Sequence, residues 1–156
     1  MLRILSAKVS CAWVDYNGHM GDFAYGIVFS DAATAYMERI GIDATYRNET
    51  KATLYTLDSR IGFMRECHVG ETVHVDILVA AADTKRLHLI MRLTNASGDE
   101  LALCEQVLMH ISKASGSPRS AALPTHAYDQ LMNDLTAHCD IERPLWLRRR
   151  IGLSRG

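Results

Sequence analysis

Thr72-Val73-His74-Val75-Asp76-Ile77-Leu78-Val79-Ala80-Ala81 decides the fold. Along it Val73, Val75, Ile77 and Val79 alternate with His74, Asp76, Leu78 and Ala80. Successive side chains of a strand point to opposite faces, so this period of two builds a sheet with one strongly buried face. Turn-forming residues bound the stretch, His68-Val69-Gly70-Glu71 before it and Asp83-Thr84-Lys85 after it. Three more strand-like runs surround it, about Thr53 to Arg65, Arg86 to Thr94 and Leu101 to Ile111, the last two separated by Asn95-Ala96-Ser97-Gly98-Asp99. Turn chemistry of this kind predicts that consecutive strands pair as antiparallel hairpins.

Upstream, Tyr25, Val28, Phe29, Ala32, Tyr36 and Ile40 recur at helical spacing, which predicts one long helix over Asp22 to Ile40 with Asp22 as its cap and Gly41 as its terminator. Its small residues, Ala24, Gly26, Ala32, Ala33 and Ala35, allow close approach of other backbone and suit a helix wrapped by a sheet. A short strand-like segment from Leu2 to Ala12 precedes it, joined through a loop, and a polar segment ending near Thr50 follows it. Lys113 to Ala122 reads as a linker, and Tyr128, Leu131 and Leu135 predict a second helix from about His126 to Ala137. The expected organisation is a single domain over residues 1–140 with a C-terminal tail at 141–156. One helix buried against one curved sheet is an α+β arrangement. It leaves a sheet face to be covered, for which a homodimer or a dimer of dimers is the economical solution.

The chain has 156 residues, 48% of them apolar, and a formal net charge of -1. This is enough for one full core and gives no basic surface for nucleic acid. No stretch approaches the ~20 apolar residues of a membrane span, and Met1 to Ser10 lacks the features of a signal peptide, so a cytoplasmic protein is expected. Cys11, Cys67, Cys104 and Cys139 contain no C-x-x-C pair, and three of the four fall in apolar strand-like segments, so neither a disulfide nor a structural zinc is expected.

The loop before the long helix reads Trp13-Val14-Asp15-Tyr16-Asn17-Gly18-His19-Met20, followed by Tyr25 within the helix. It resembles the signature of the 4-hydroxybenzoyl-CoA thioesterase branch of the hot-dog superfamily. His68-Val69-Gly70-Glu71, Lys85-Arg86-Leu87 and the stretch from Gly98 through Ala102 to Glu105 follow that family's pattern in the same order, so the resemblance covers nearly the whole chain. It implies the hot-dog fold, one long helix wrapped by a curved antiparallel sheet, and hydrolysis of an acyl-CoA to free acid and coenzyme A. Coenzyme A is then part of the substrate, and neither a cofactor nor a metal is expected.

By the same resemblance Asp15 is the catalytic carboxylate, attacking the thioester carbonyl or activating water. The helix start supplies the other half: the first N–H groups, around Asp22, Phe23 and Ala24, lack intrahelical partners and would polarise the thioester oxygen. Read without the resemblance, Asp15 is a turn former capping local backbone. Asn17 is either a turn residue or a group that positions water or substrate. His19 either orients Asp15 or merely packs. Many relatives continue Asn-Gly-His-x-Asn-Asn, whereas this chain has Gly21 and Asp22 there, which puts an asparagine-dependent mechanism in doubt. A further acid would repel a developing oxyanion, so Asp22 is expected to face away as a cap.

Other chemistry finds little support. No G-x-S-x-G, H-E-x-x-H, G-x-x-x-x-G-K or G-x-G-x-x-G is present. His68, His74 and Asp76 spread along a strand read as ordinary surface or packed residues. The run Arg148-Arg149-Arg150 reads as a solvated tail or as a contact for the phosphates of coenzyme A. Trp13, Tyr16, Tyr25 and Tyr55 either pack in the core or bring aromatic faces to the loop, and aromatics with a carboxylate suit a quaternary ammonium group. Glu38-Arg39-Ile40-Gly41, Tyr55-Thr56-Leu57 and Lys85-Arg86-Leu87-His88-Leu89 are similar to thioesterases of carnitine breakdown, which act on betainyl-CoA. Acyl-CoA hydration on the same fold and a non-catalytic acyl-CoA binding module are the competing readings.

Overall fold

The computed structural model describes residues 1–149 and 152. In chain order the elements are β1 (Leu2–Lys8), a 3-10 turn (Cys11–Trp13), α1 (Asp22–Arg39), α2 (Ala44–Thr50), β2 (Ala52–Phe63), β3 (Thr72–Ala82), β4 (Arg86–Asn95), β5 (Glu100–Ser112), β6 (Arg119–Ser120), α3 (Thr125–Ala137) and a 3-10 turn (Leu145–Arg148). The strands form one antiparallel sheet in the order β1-β3-β4-β5-β2, with β6 added to the end of β5.

The alternation in β3 builds the inner face: Val73, Val75, Ile77 and Val79 are buried in the cluster that holds Val28, Phe29 and Ala32 of α1. Helix and sheet thus bury each other's apolar surface, at roughly 1.5–3 kcal/mol for each large side chain removed from water. Gly41 ends α1 with φ +84°, a conformation that suits a residue without Cβ. At the other end the cap is Gly21 rather than Asp22. The Gly21 N–H donates to Trp13 O and the Ala24 N–H donates to Gly21 O, so backbone closes the helix start and Asp22 becomes its first residue.

Four expectations are corrected. The segment from Leu2 to Ala12 leaves the sheet after Lys8 and turns at Cys11–Trp13. The polar segment before β2 contains a helix, α2, started by the Asp43 carboxylate accepting from Tyr46 N–H. The Lys113 to Ala122 linker contains β6. β2 does not pair with β3: it lies beside β5, and β1 takes the place next to β3. The residues between β2 and β3 cross the open end of the sheet instead, where Cys67 O accepts from Met20 N–H. Cys104 lies in a strand, Cys67 is buried in this crossing segment and Cys11 is exposed in the turn; all four cysteines are free thiols.

Beyond β1 the edge of β3 is closed by the C-terminal part of the chain. Val79 N–H donates to His138 Nδ1 at 3.1 Å and Arg143 donates to Ala80 O at 2.6 Å. Ile141 and Leu147 then pack on Leu78, Ala80 and Ile90 of the outer sheet face, and Trp146 lies against Gly62 of β2. A Cβ on Gly62 would fall 2.1 Å from the Trp146 ring, so glycine makes room for it. Arg60 stacks on Trp146, 4.0 Å from the ring centroid, and donates to the carbonyls of Trp146, Leu147 and Arg149. Residues 141–149 therefore form a strap over the outer face. Among the described residues no helix is long and apolar enough to cross a membrane.

Candidate active site

A cleft of about 670 Å³ opens at the start of α1, lined by Asp15, Tyr16, His19, Asp22, Phe23 and Tyr25 from one side and by Phe63 to Glu66 from the other. Its loop is a small hairpin. Val14 bridges Met20, Asp15 N–H donates to His19 O, and Gly18 N–H returns to Asp15 O with Gly18 at φ +85°. Asn17 holds the carboxylate of Asp15 through its N–H to Oδ1 at 2.8 Å and its amide to Oδ2 at 3.2 Å. Gly21 packs beneath it: a Cβ there would stand 3.4 Å from Asp15 Cβ and 2.7 Å from the Phe23 ring. The loop can approach the helix because residue 21 has no side chain.

The opposite wall is fixed by Tyr25. Its hydroxyl donates to Arg65 O at 3.3 Å, and its ring meets Phe63 edge-on at 5.1 Å. Burial, reinforced by the charges of Cys67, Glu71 and Glu66, pushes the Tyr25 hydroxyl up to about 12, so it remains a donor throughout the neutral range. His19 does not touch the Asp15 carboxylate; its Nε2 lies 3.6 Å from Glu66 Oε1 across the mouth of the cleft.

The structure brings Asp15, His19, Phe23 and Tyr25 to one cleft, with Asn17 beside it. Ala24 is buried behind the helix start. Trp13 is half-buried against the core, holding the loop through its carbonyl. Tyr55 is not brought to Asp15 within the chain: it pairs with Met109 near the far end of β2 and meets Lys113. The helix-start donors are also partly engaged. Ala24 N–H is bonded to Gly21 O, and Phe23 N–H is bonded to the Asp22 carboxylate at 2.8 Å. Asp22 was expected to face away, yet it lines the cleft, because its side chain folds back onto the helix start. Tyr16, 96% exposed, Phe63 and Glu66 complete the lining. Phe63 and Glu66 were missed because the end of β2 reads only as an apolar strand until the crossing segment is in place.

His68, His74 and Asp76 do not converge. They bond separately to Glu71, Ser6 and Arg3, and among the described residues no group of His, Cys, Asp and Glu is arranged to hold a metal ion.

The sequence matches the thioesterase-like superfamily over residues 9–131. It is 38% identical to the betainyl-CoA thioesterase of Pseudomonas aeruginosa over 154 residues, covering 98% of this chain and 96% of that one. It is 32% identical over 155 residues to the L-carnitine dehydrogenase/betainyl-CoA thioesterase of Rhizobium meliloti, covering 99% of this chain but only 31% of that longer protein. A Staphylococcus aureus protein solved in complex with CoA superposes with a TM-score of 0.91 at 27% identity, over 99% of this chain and 98% of that one. With its helix-wrapping sheet and its loop before α1, the chain belongs to the thioesterase-like superfamily and has the hot-dog fold.

Proposed function

We propose that this protein hydrolyses an acyl-CoA thioester, with betainyl-CoA as its substrate and glycine betaine and coenzyme A as its products. The observation that carries the reading is Asp15, a carboxylate gripped by Asn17 at the rim of a cleft that ends on a helix N-terminus. A thioester carbonyl directed at the start of α1 meets the positive end of the helix, where the bond from Phe23 N–H holds the Asp22 carboxylate back, while Asp15 attacks it or activates a water for attack. The names of the relatives at 38% and 32% identity and the CoA bound by the structural neighbour support the substrate class.

The lining supports the acyl group. Phe23, Tyr25, Phe63 and Tyr16 present aromatic faces, and three carboxylates, Asp15, Asp22 and Glu66, stand against one guanidinium, that of Arg65. Such a cleft suits a trimethylammonium group, each good aromatic contact adding ~0.5 to 2 kcal/mol.

The active form in this reading is a homodimer or a dimer of dimers in the cytoplasm. The free edge of β2, with Leu57 and Phe63 exposed, and the exposed Phe23 and Ile27 of α1 are the surfaces a second copy would cover. No cofactor is required beyond the coenzyme A of the substrate.

Thiol release from a panel of acyl-CoAs, with wild-type protein and a folded Asp15→Asn variant, tests the proposal. Turnover of betainyl-CoA that drops roughly 100-fold or more in the variant supports it; equal rates would remove Asp15 from the mechanism. Binding of acyl-CoA without any turnover would favour a binding module, and addition of water to an enoyl-CoA in a coupled assay, without thiol release, would favour a hydratase. Single-turnover reaction in 18O-labelled water separates the two routes: direct attack by water places the label in the product acid, whereas an Asp15 anhydride opened at its aspartyl carbonyl places it in Asp15.

A further inference from the structure

A second cleft, of about 460 Å³, lies on the outer face between the sheet and the strap. Arg92 of β4, Arg143, Arg149, Leu145 and Trp146 line it, together with Glu100 and Glu142. Three guanidinium groups facing two carboxylates leave this lining net positive, opposite in sign to the Asp15 cleft. Arg92 is incompletely neutralised: its Nη2 stands 3.7 Å from Asp76, and its Nε has no hydrogen-bond partner among the described residues. Arg143 is held in place by its bond to Ala80 O, and the strap backbone at Arg149 is held by Arg60. The two clefts meet at Met64, which lines both.

Resting on the reading that the substrate is a CoA thioester, we propose that this second cleft holds the nucleotide end of that substrate. The phosphates bind Arg143 and Arg149, and the purine packs on Leu145 and Trp146. Planar guanidinium groups match phosphate oxygens in pairs, and an aromatic and aliphatic rim provides the flat apolar contact a base requires. The charge pattern argues for one ligand across both sites. Betainyl-CoA is cationic at its acyl end and polyanionic at its nucleotide end, and the pantetheine arm would pass Met64 between an acidic cleft and a basic one. Of the arginine run at the end of the strap, Arg149 thereby acquires a ligand; Arg148 does not line the cleft, and Arg150 lies outside the described residues.

The test compares substrates that differ only in the nucleotide. Betainyl-CoA and betainyl-pantetheine are assayed with wild-type protein, Arg149→Glu, Arg143→Ala and Arg143→Lys, alongside calorimetric titration with free coenzyme A and with adenosine 3',5'-bisphosphate. The ratio of kcat/KM for the CoA ester to that for the pantetheine ester should fall roughly tenfold or more in Arg149→Glu and Arg143→Ala, the scale of a lost charge-assisted contact. The loss should appear in KM and in the Kd for coenzyme A, weaken in added salt, and be restored in part by Arg143→Lys. Equal effects on both esters, or an unchanged Kd for coenzyme A in Arg149→Glu, would overturn the proposal while leaving hydrolysis intact. Wild-type protein that neither hydrolyses CoA esters nor binds coenzyme A would instead sink the functional reading beneath it.

Discussion

Asn17 grips both oxygens of the Asp15 carboxylate, one through its backbone N–H at 2.8 Å and the other through its side-chain amide at 3.2 Å. The first contact survives any substitution that keeps the turn, and the second does not. Asn17→Ala should therefore lower kcat by about tenfold with little change in KM, since it loosens the reacting group without touching the substrate. Asn17→Asp should cost more, because a second carboxylate repels the first instead of donating to it. Steady-state kinetics reads both effects.

The aromatic and acidic lining predicts a preference for charge rather than shape. 3,3-Dimethylbutanoyl-CoA has the same outline as betainyl-CoA but lacks the positive nitrogen. Wild-type protein should favour the betainyl ester in kcat/KM, and Glu66→Gln and Phe63→Leu should each narrow that preference by several-fold. A preference that survives in both variants would place the ammonium elsewhere.

Asp134 ties α3 to α1. It accepts from the Tyr36 hydroxyl at 3.0 Å and from Arg39 at 3.0 and 3.3 Å, with its side chain 10% exposed. Burial alone would push its carboxyl up, but the bonds from Arg39, Tyr36 and Gln130 outweigh burial and bring it below the ordinary carboxylate value. Its contribution is thus present at neutral pH and is lost as pH falls below about 4. Asp134→Ala should destabilise the fold by ~2–4 kcal/mol, measured by urea denaturation at pH 7, because it leaves a buried hydroxyl and a guanidinium without their acceptor.

His138 and His110 predict a second pH effect. Burial lowers both imidazole pKa values, and His138 Nδ1 accepts Val79 N–H, which requires the unprotonated nitrogen. With the folded pKa below the unfolded ~6.5, stability is complete above that pH and is lost as pH falls, by at most about 1.4 kcal/mol per pH unit for each histidine. Denaturation midpoints from pH 7.5 to 5 should show the decline, and His138→Asn, which keeps an acceptor that does not titrate, should flatten part of it.

Local patterning carried most of the fold. The period of two in β3, the apolar spacing of α1 and Gly41 after it depend on neighbours in sequence, and they placed those elements to within a residue or two. The pairing of β2 with β5 was not legible, because the His68 to Glu71 turn looks the same whether the chain doubles back or crosses the end of a sheet. In the candidate site, Asp15, Phe23 and Tyr25 were readable from the loop and the helix that follows it. Phe63 and Glu66 come from a segment more than 40 residues away, brought in by the Tyr25 contact with Arg65 O, a bond spanning 40 residues. Tyr55 resembled its neighbours in type, but strand length carries it away from the loop.

The strand order β1-β3-β4-β5-β2 also sets how the molecule comes together. The central strands follow one another through short turns, whereas both edges close late: Ser6 meets His74 across 68 residues and Ser59 meets Cys104 across 45. Chains that must close such distances fold slowly, since the entropy of the loop is lost before the pairing rewards it. The loop carrying Asp15 follows β1, and the wall carrying Phe63 follows β2, so each half of the cleft arrives with one edge of the sheet. The cleft is therefore among the last parts of the protein to exist during folding, and the first to be lost when either edge strand frays.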